Sequence, residues 1–63
     1  MLSSRDVIRK LKDAGWVHVG TTGDHFHFKH PERPGKVTVP HPKKDLTLKT
    51  LRSIEAQSGI RLR

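Results

Sequence analysis

The sequence predicts a small α+β domain with two helices on one face of a three-stranded antiparallel sheet. Apolar residues recur at helical spacing near both ends of the chain. Through the middle they alternate with polar residues, in segments separated by glycine and proline clusters that are typical of turns. The expected order of elements is therefore helix, strand, strand, strand, helix.

The chain is short enough that residues 1–63 are expected to form a single domain. A domain of this size buries only about 60% of the surface that its unfolded chain exposes. The 63 residues include no cysteine, so the core must hold without disulfide bonds, which fits a reducing compartment. The chain shows neither the apolar segment of a secretory signal nor a run that could span a bilayer. We therefore expect a cytoplasmic protein with no membrane partner.

The first helix is expected to begin after a cap at Ser3 or Ser4, with Asp6 in its first turn. Gly15 follows at the place where a left-handed residue would end the helix. The apolar stripe of this helix consists of Val7, Ile8, Leu11 and Ala14. Its opposite face is basic and is interpreted as a solvated surface.

Two strands are predicted next. Residues 16–21 alternate with period two, and Trp16 at their start is interpreted as core or rim packing. After a turn at 21–24, aromatic and basic residues alternate through 25–30. Successive side chains of a strand point to opposite faces, so burying Phe26 and Phe28 displays their neighbours. Those displayed neighbours are His25, His27 and Lys29.

The last strand and the last helix complete the predicted core. Residues 31–35 are expected to form a loop, and 36–39 a strand whose valines lie on the phenylalanine face. A second loop at 41–45 precedes a helix capped by Asp45 or Thr47 and ended by Gly59. The stripe of this helix is Leu48, Leu51 and Ile54. Both helices must cover the phenylalanine face, which leaves an open face lined by His25, His27, Lys29, Lys36 and Thr38.

The charge of the chain predicts a polyanionic partner. Thirteen lysines and arginines against six acidic residues give a formal charge of +7. Each phosphate that such a surface neutralises releases condensed counterions and strengthens binding. Charge alone does not choose among DNA, RNA and an acidic protein. A membrane surface is disfavoured, because neither predicted helix carries the aromatic-rich apolar face of an interfacial anchor.

The open face carries groups that could cleave RNA. His25 and His27 are two residues apart on a strand, so their Cα atoms should lie about 6.6 Å apart on one face. An imidazole can accept or donate a proton near neutral pH, and RNA supplies its own nucleophile in the 2′-hydroxyl. Lys29 or Lys36 could stabilise the charge on the reacting phosphate. No carboxylate or cysteine joins the two histidines at a metal-ligand spacing, so we expect no metal and no cofactor.

The other candidate residues carry weaker signals. A single surface histidine is more often solvated than functional, and His18, His30 and His41 are each interpreted in this way. The pair Lys43 and Lys44 is by itself typical of solvated loop charge.

Several short motifs occur together in one order along nearly the whole chain. They are Asp13-Ala14-Gly15-Trp16, Gly23-Asp24-His25 with Phe28, Val37-Thr38-Val39-Pro40-His41, Lys44-Asp45-Leu46 and Thr50-Leu51-Arg52-Ser53-Ile54. In this order and spacing the sequence resembles the HicA family of bacterial toxins. The resemblance implies a small mRNA interferase with a fold like that of the double-stranded-RNA-binding domain, α-β-β-β-α.

The resemblance also implies roles for particular residues and partners. The family's catalytic histidine corresponds to His25, and Asp24, which stands where a serine is common, could orient its imidazole. A role of His27 as an auxiliary group is our own inference from the strand pattern. The resemblance further implies a HicB-like antitoxin that covers the active face, with DNA contact expected only through that antitoxin. The residues expected to hold the RNA backbone are Lys29, Lys36, Lys43 and Lys44.

Two other classes of function remain open at this point. One is a non-catalytic double-stranded RNA-binding module, which would read duplex shape through phosphates and 2′-hydroxyls. The other is a protein-binding domain whose basic face docks an acidic partner. A binding module should keep its function when His25 is replaced by alanine, whereas an enzyme should lose cleavage and keep affinity.

Overall fold

The computed structural model describes residues 2–62 and confirms the predicted α+β architecture. The three strands form one antiparallel sheet in the order β1-β2-β3, and both helices pack on the same face of it. The elements are α1 (Ser4–Asp13), β1 (Val17–Thr22), β2 (His25–His30), β3 (Arg33–Pro40) and α2 (Leu48–Ser58).

The core lies between the helices and the inner face of the sheet. Both central valines of β3 and Phe28 of β2 are fully buried there. Complete burial of a side chain of this size stabilises the fold by about 1.5–3 kcal/mol. The buried apolar residues are Val7, Leu11, Trp16, Phe28, Val37, Val39, Leu46, Leu51, Ile54 and Leu62. Trp16 therefore belongs to the core, as predicted.

The predicted orientation of β2 is confirmed. Phe26 pairs with Val39 and Phe28 with Val37, so the phenylalanines and valines share the inner face. Phe28 is fully buried and Phe26 is partly buried. Because side chains alternate along a strand, His25 and His27 lie on the outer face.

Helix α1 begins at a capping box. Ser3 is the N-cap, its Oγ accepts a hydrogen bond from the Asp6 backbone N–H at 3.1 Å, and the Asp6 carboxylate accepts from the Ser3 N–H at 3.4 Å. The Ser3 hydroxyl and then its N–H hold the pKa of the Asp6 carboxyl below its ordinary value. The resulting stabilisation is present above the unfolded value of 3.8 and is lost as the pH falls through the folded-state pKa.

The predicted loop at 31–35 was wrong in its extent. The turn between β2 and β3 consists of Pro31 and Glu32 alone, and His30 pairs with Arg33. Pro34 therefore lies within β3. This is tolerated because β3 is an edge strand with a neighbouring strand on one side only. A proline there can lack a backbone N–H without removing a hydrogen bond between strands.

Two apolar positions also differ from prediction. Leu48 was placed in the stripe of α2 but is 45% exposed, and Leu46 is buried in its place. Thr47 caps the helix, so Leu46 lies in the segment before it, where its N–H donates to the Leu2 carbonyl at 2.9 Å. Ala14, predicted in the stripe of α1, is instead its exposed C-cap.

Within the described residues, neither helix is long and apolar enough to cross a membrane.

Candidate functional site

His25 is the first residue of β2 and follows directly on a tight turn. Thr22 and His25 pair across the hairpin, so Gly23 and Asp24 alone form the connection. Gly23 has a φ of 58°, which suits the first position of a two-residue hairpin turn. The turn thereby places the His25 side chain at the end of the central strand, where it is 58% exposed to solvent.

A carboxylate lies beside the His25 imidazole. Asp24 Oδ1 is 3.4 Å from His25 Nε2, and the Asp24 side chain is itself 66% exposed. Solvent screens an interaction between two groups as exposed as these. The contact therefore contributes little to the stability of the fold.

His25 borders a depression of about 270 Å³ between the hairpin turn and the start of α2. Of the four lysines predicted to hold RNA, Lys43 alone lines it among the described residues. The full lining is Asp24, His25, Pro40, Lys43, Asp45, Leu46, Thr47 and Thr50. A phosphate held here would meet one imidazole and one ammonium group, and also the carboxylates of Asp24 and Asp45.

His27 is tied to both neighbouring strands. Its Nδ1 lies 3.1 Å from Thr38 Oγ1 on β3, and its Nε2 lies 3.2 Å from Thr22 Oγ1 on β1. A neutral imidazole has one donor and one acceptor nitrogen, and a threonine hydroxyl can pair with either. Both nitrogens of His27 are thus engaged, and the ring joins the three strands on the outer face.

The structure does not bring the other three predicted lysines to His25. Lys29 pairs with the exposed Val17, and Lys36 precedes the buried Val37, so both lie along the outer face of the sheet. Lys44 instead borders a second depression, of about 640 Å³, together with Lys43 and residues at the start of α1.

The segment that carries Lys43 is anchored at two points. Ser4 is 1% exposed, and its Oγ accepts from the Lys43 N–H at 2.8 Å and lies 2.7 Å from His41 Nδ1. The His41 N–H donates to the Asp24 carbonyl at 2.7 Å. These bonds fix the segment at 41–43 to α1 and to Asp24, which directly precedes His25.

No group of three or more histidine, aspartate or glutamate side chains in residues 2–62 is arranged to hold a metal ion.

Comparison with known proteins identifies the family. A family model described as the HicA toxin of bacterial toxin–antitoxin systems matches residues 4–60. The chain belongs to the HicA toxin family. The solved structure described as "HicA3 and HicB3 toxin-antitoxin complex" is 32% identical in sequence and superposes with a TM-score of 0.85, covering 98% of this chain and 100% of that one. No match was found among the curated proteins.

The three histidines of this HicA family member that were interpreted as solvated differ in exposure, since His18 is exposed whereas His30 and His41 are partly buried, and all three make side-chain contacts. His18 stacks on Phe26 with ring centroids 4.9 Å apart, and its Nε2 lies 2.8 Å from Thr21 Oγ1. His30 accepts from the Glu32 N–H at Nδ1, so its Nε2 carries the proton and donates to the Ala14 carbonyl at 3.1 Å. The third, His41, is the partner of Ser4.

These contacts carry little signal in the sequence. Ser4 and His41 are 37 positions apart, and Ser4 resembles an ordinary helix cap. His18 alternates with two valines, which marks it as facing opposite to them but does not show which face is inner. The exposure of Val17 and Val19 and the pairing of His18 with the buried Phe28 assign His18 to the side of the helices.

Proposed function

We propose that this HicA family member is an endoribonuclease that cleaves mRNA in the cytoplasm, with His25 as its general acid/base. The observation that supports this most is the position of His25. Its imidazole is exposed at the end of the central strand, beside the Asp24 carboxylate and at the edge of the depression that Lys43 also lines. The formal charge of +7 suits a polyanionic substrate.

The reaction uses the RNA's own 2′-hydroxyl as nucleophile. A base removes the hydroxyl proton, O2′ forms a bond to the adjacent phosphorus, and the bond from phosphorus to O5′ breaks. An acid protonates the departing O5′, which leaves a 2′,3′-cyclic phosphate and a 5′-hydroxyl end. The Lys43 ammonium stabilises the negative charge that accumulates on the phosphate. A positioned acid or base contributes about 10²–10⁴-fold to such a step.

Asp24 selects which nitrogen of His25 acts. An acceptor 3.4 Å from Nε2 favours the tautomer with its proton on that nitrogen. Nδ1 is then the unprotonated nitrogen that takes the proton from the 2′-hydroxyl. In this scheme Asp24 is a positioning residue.

His27 acts as an auxiliary group by ordering the strands around His25. Thr22 and Thr38 occupy its two nitrogens, so direct proton transfer by His27 would require the loss of one of these bonds. This arrangement favours a scheme with His25 as the only catalytic imidazole. Lys29, Lys36 and Lys44 are proposed contacts of the RNA backbone away from the reacting phosphate.

A HicB-like antitoxin is the proposed protein partner. The similar solved structure is described as a complex of HicA3 with HicB3. A partner that covers the exposed His25 face would block access of RNA, and an acidic surface on it would complement the positive charge of the toxin. Contact with DNA is proposed to occur only through this antitoxin.

Expression in bacteria tests the proposed function. We expect the wild-type chain to arrest growth, the His25→Ala variant to be tolerated at an equal protein level, and coexpression of a cognate antitoxin to restore growth. Arg52→Gln, an exposed change on α2, is the matched control and should remain toxic. Equal toxicity of the wild type and His25→Ala would remove His25 from the mechanism and favour a non-catalytic RNA-binding module.

A further inference from the structure

A groove on the inner side of the sheet lies outside the site described above. It has a volume of about 190 Å³ and runs between α1 and the first two strands. From α1 it is lined by Arg5, Ile8 and Lys12, and from the sheet by His18, Phe26 and Phe28. His41 completes the lining.

The groove contains an exposed aromatic surface that is held in place. The imidazole of His18 stacks on Phe26 with an interplanar angle of 23°, and Thr21 fixes its Nε2. Behind it, Phe26 meets the ring of His41 edge-on with centroids 4.8 Å apart. His18 is exposed whereas Phe26 is partly buried, so His18 presents a ring to the solvent. Unpaired nucleic-acid bases stack on rings of this kind.

The rim of the groove is positively charged. Arg5 and Lys12 are exposed and lie seven positions apart on α1, with Arg9 between them on the same side of the helix. No described residue that lines the groove, or the depression bordered by Lys44, carries a carboxylate. Asp6 follows Arg5 on α1 and borders the neighbouring depression with Arg5, Ile8 and Lys12, and its carboxylate accepts hydrogen bonds from Ser3. Aromatic and cationic groups together match a ligand with a flat ring and a phosphate.

The groove is linked to the site of His25 by a depression that shares lining residues with both. The depression beside His25 shares Lys43 with the depression bordered by Lys44. That second depression shares Arg5 and His41 with the groove. These shared residues place the three depressions in a row from His25 over the segment at 41–44 to α1, here called the basic track, whose carboxylates, Asp24 and Asp45, lie at the His25 end.

We propose that this groove is a base-binding subsite for single-stranded RNA whose reacting phosphate lies at His25. This inference rests on the proposed function. A base stacks on His18, and the phosphates of the same strand lie near Arg5 and Lys12. The part of the strand that carries this base leaves His25 on the side of Lys43, so Lys29 and Lys36 can contact only the RNA on the other side of the reacting phosphate. The ligand must be single-stranded, because a base paired within a duplex cannot stack on a protein ring.

Binding of a labelled single-stranded RNA to variants in a His25→Ala background tests the subsite. We expect Lys12→Gln and His18→Ala each to raise the Kd by about fivefold or more, since one loses a phosphate contact and the other a stacked base. Lys12→Gln should also lower the salt dependence of binding by about one ion. His18→Phe keeps the ring and should bind within about twofold of the parent.

Arg52→Gln is the matched control for loss of one charge, because Arg52 is exposed on α2 and lines none of the three depressions. Equal weakening by Lys12→Gln and Arg52→Gln would overturn the inference. The inference would also be overturned if Lys36→Gln weakened RNA binding while the groove variants did not. A third contrary result would be groove variants that keep their RNA affinity but lose antitoxin binding. If the wild type cleaves RNA but the groove variants bind as the parent does, only the subsite is refuted. If the wild type cleaves no RNA, the proposed function fails as well.

Discussion

Ser4 joins α1 to the segment at 41–43 through one buried hydroxyl. Its backbone N–H donates to the Lys43 carbonyl at 2.9 Å, and its Oγ accepts from the Lys43 N–H and pairs with His41. The hydroxyl has one proton, so it can donate to the imidazole while it still accepts from the backbone. Replacing this group leaves several polar atoms without a partner, and the segment beside His25 loses its anchor.

We predict that Ser4→Ala destabilises the domain by about 1–3 kcal/mol, the cost of leaving partly buried polar groups unsatisfied. Denaturant unfolding of the wild type and the variant measures this difference. Ser53→Ala, an exposed change of the same kind on α2, is the control and should have an effect within about 0.5 kcal/mol. Equal stability of the two variants would show that the Ser4 hydrogen bonds make no net contribution to the free energy of unfolding.

The sequence could predict single residues only where a periodic pattern determined their direction. His25 and Phe28 were placed on opposite faces because a strand has a period of two. The partners of His41 and His30 depend on contacts between distant elements, for which a lone histidine gives no local signal. This is why the face on which His25 lies was predicted, while the bonds of His30 and His41 were not.

At the scale of elements, the junction between α1 and β1 depends on Gly15. Its φ is 97°, a left-handed value that a residue with a Cβ rarely adopts. A Cβ at this position would also lie 2.7 Å from His30 Nε2, the atom that donates to the Ala14 carbonyl. The ring of His30 meets Trp16 with centroids 5.3 Å apart, so its displacement would disturb the core.

We predict that Gly15→Ala lowers the stability of the domain by about 1–3 kcal/mol, the cost of a strained backbone position. Thermal unfolding checks this, because about 1 kcal/mol shifts the melting temperature of so small a domain by roughly 4–8 °C. The matched control is Gly20→Ala in β1, where an added Cβ would meet nothing within 4 Å. A melting temperature of Gly15→Ala equal to that of Gly20→Ala would contradict the account of this junction.

The order of the elements followed from apolar periodicity, but their bounds did not. Pro31, Pro34 and Gly35 suggested one loop, whereas the structure has a two-residue turn followed by an edge strand. Leu46 and Leu48 are equally apolar, and the position of the Thr47 cap determines which of them is buried. Such choices depend on packing against Leu2 and the sheet, which a local pattern does not contain.

At the scale of the whole molecule, the inner face of the sheet stabilises the fold, and the surface at the end of the central strand carries the proposed chemistry. The helices take up the inner face with nearly all of the large apolar residues. His25, at the end of the central strand, is thereby left in solvent, next to the basic track that leads to α1. The positive charge of +7 was evident from the sequence, but its distribution into a track was not.

Cleavage of a single-stranded RNA by the purified chain in excess chelator tests the central claim most directly. We predict fragments that end in a 2′,3′-cyclic phosphate, and a rate for His25→Ala lower by about 10²-fold or more with RNA affinity retained. Equal cleavage by His25→Ala, or 3′-hydroxyl ends whose formation stops when chelator is added, would contradict a histidine-catalysed attack by the 2′-hydroxyl.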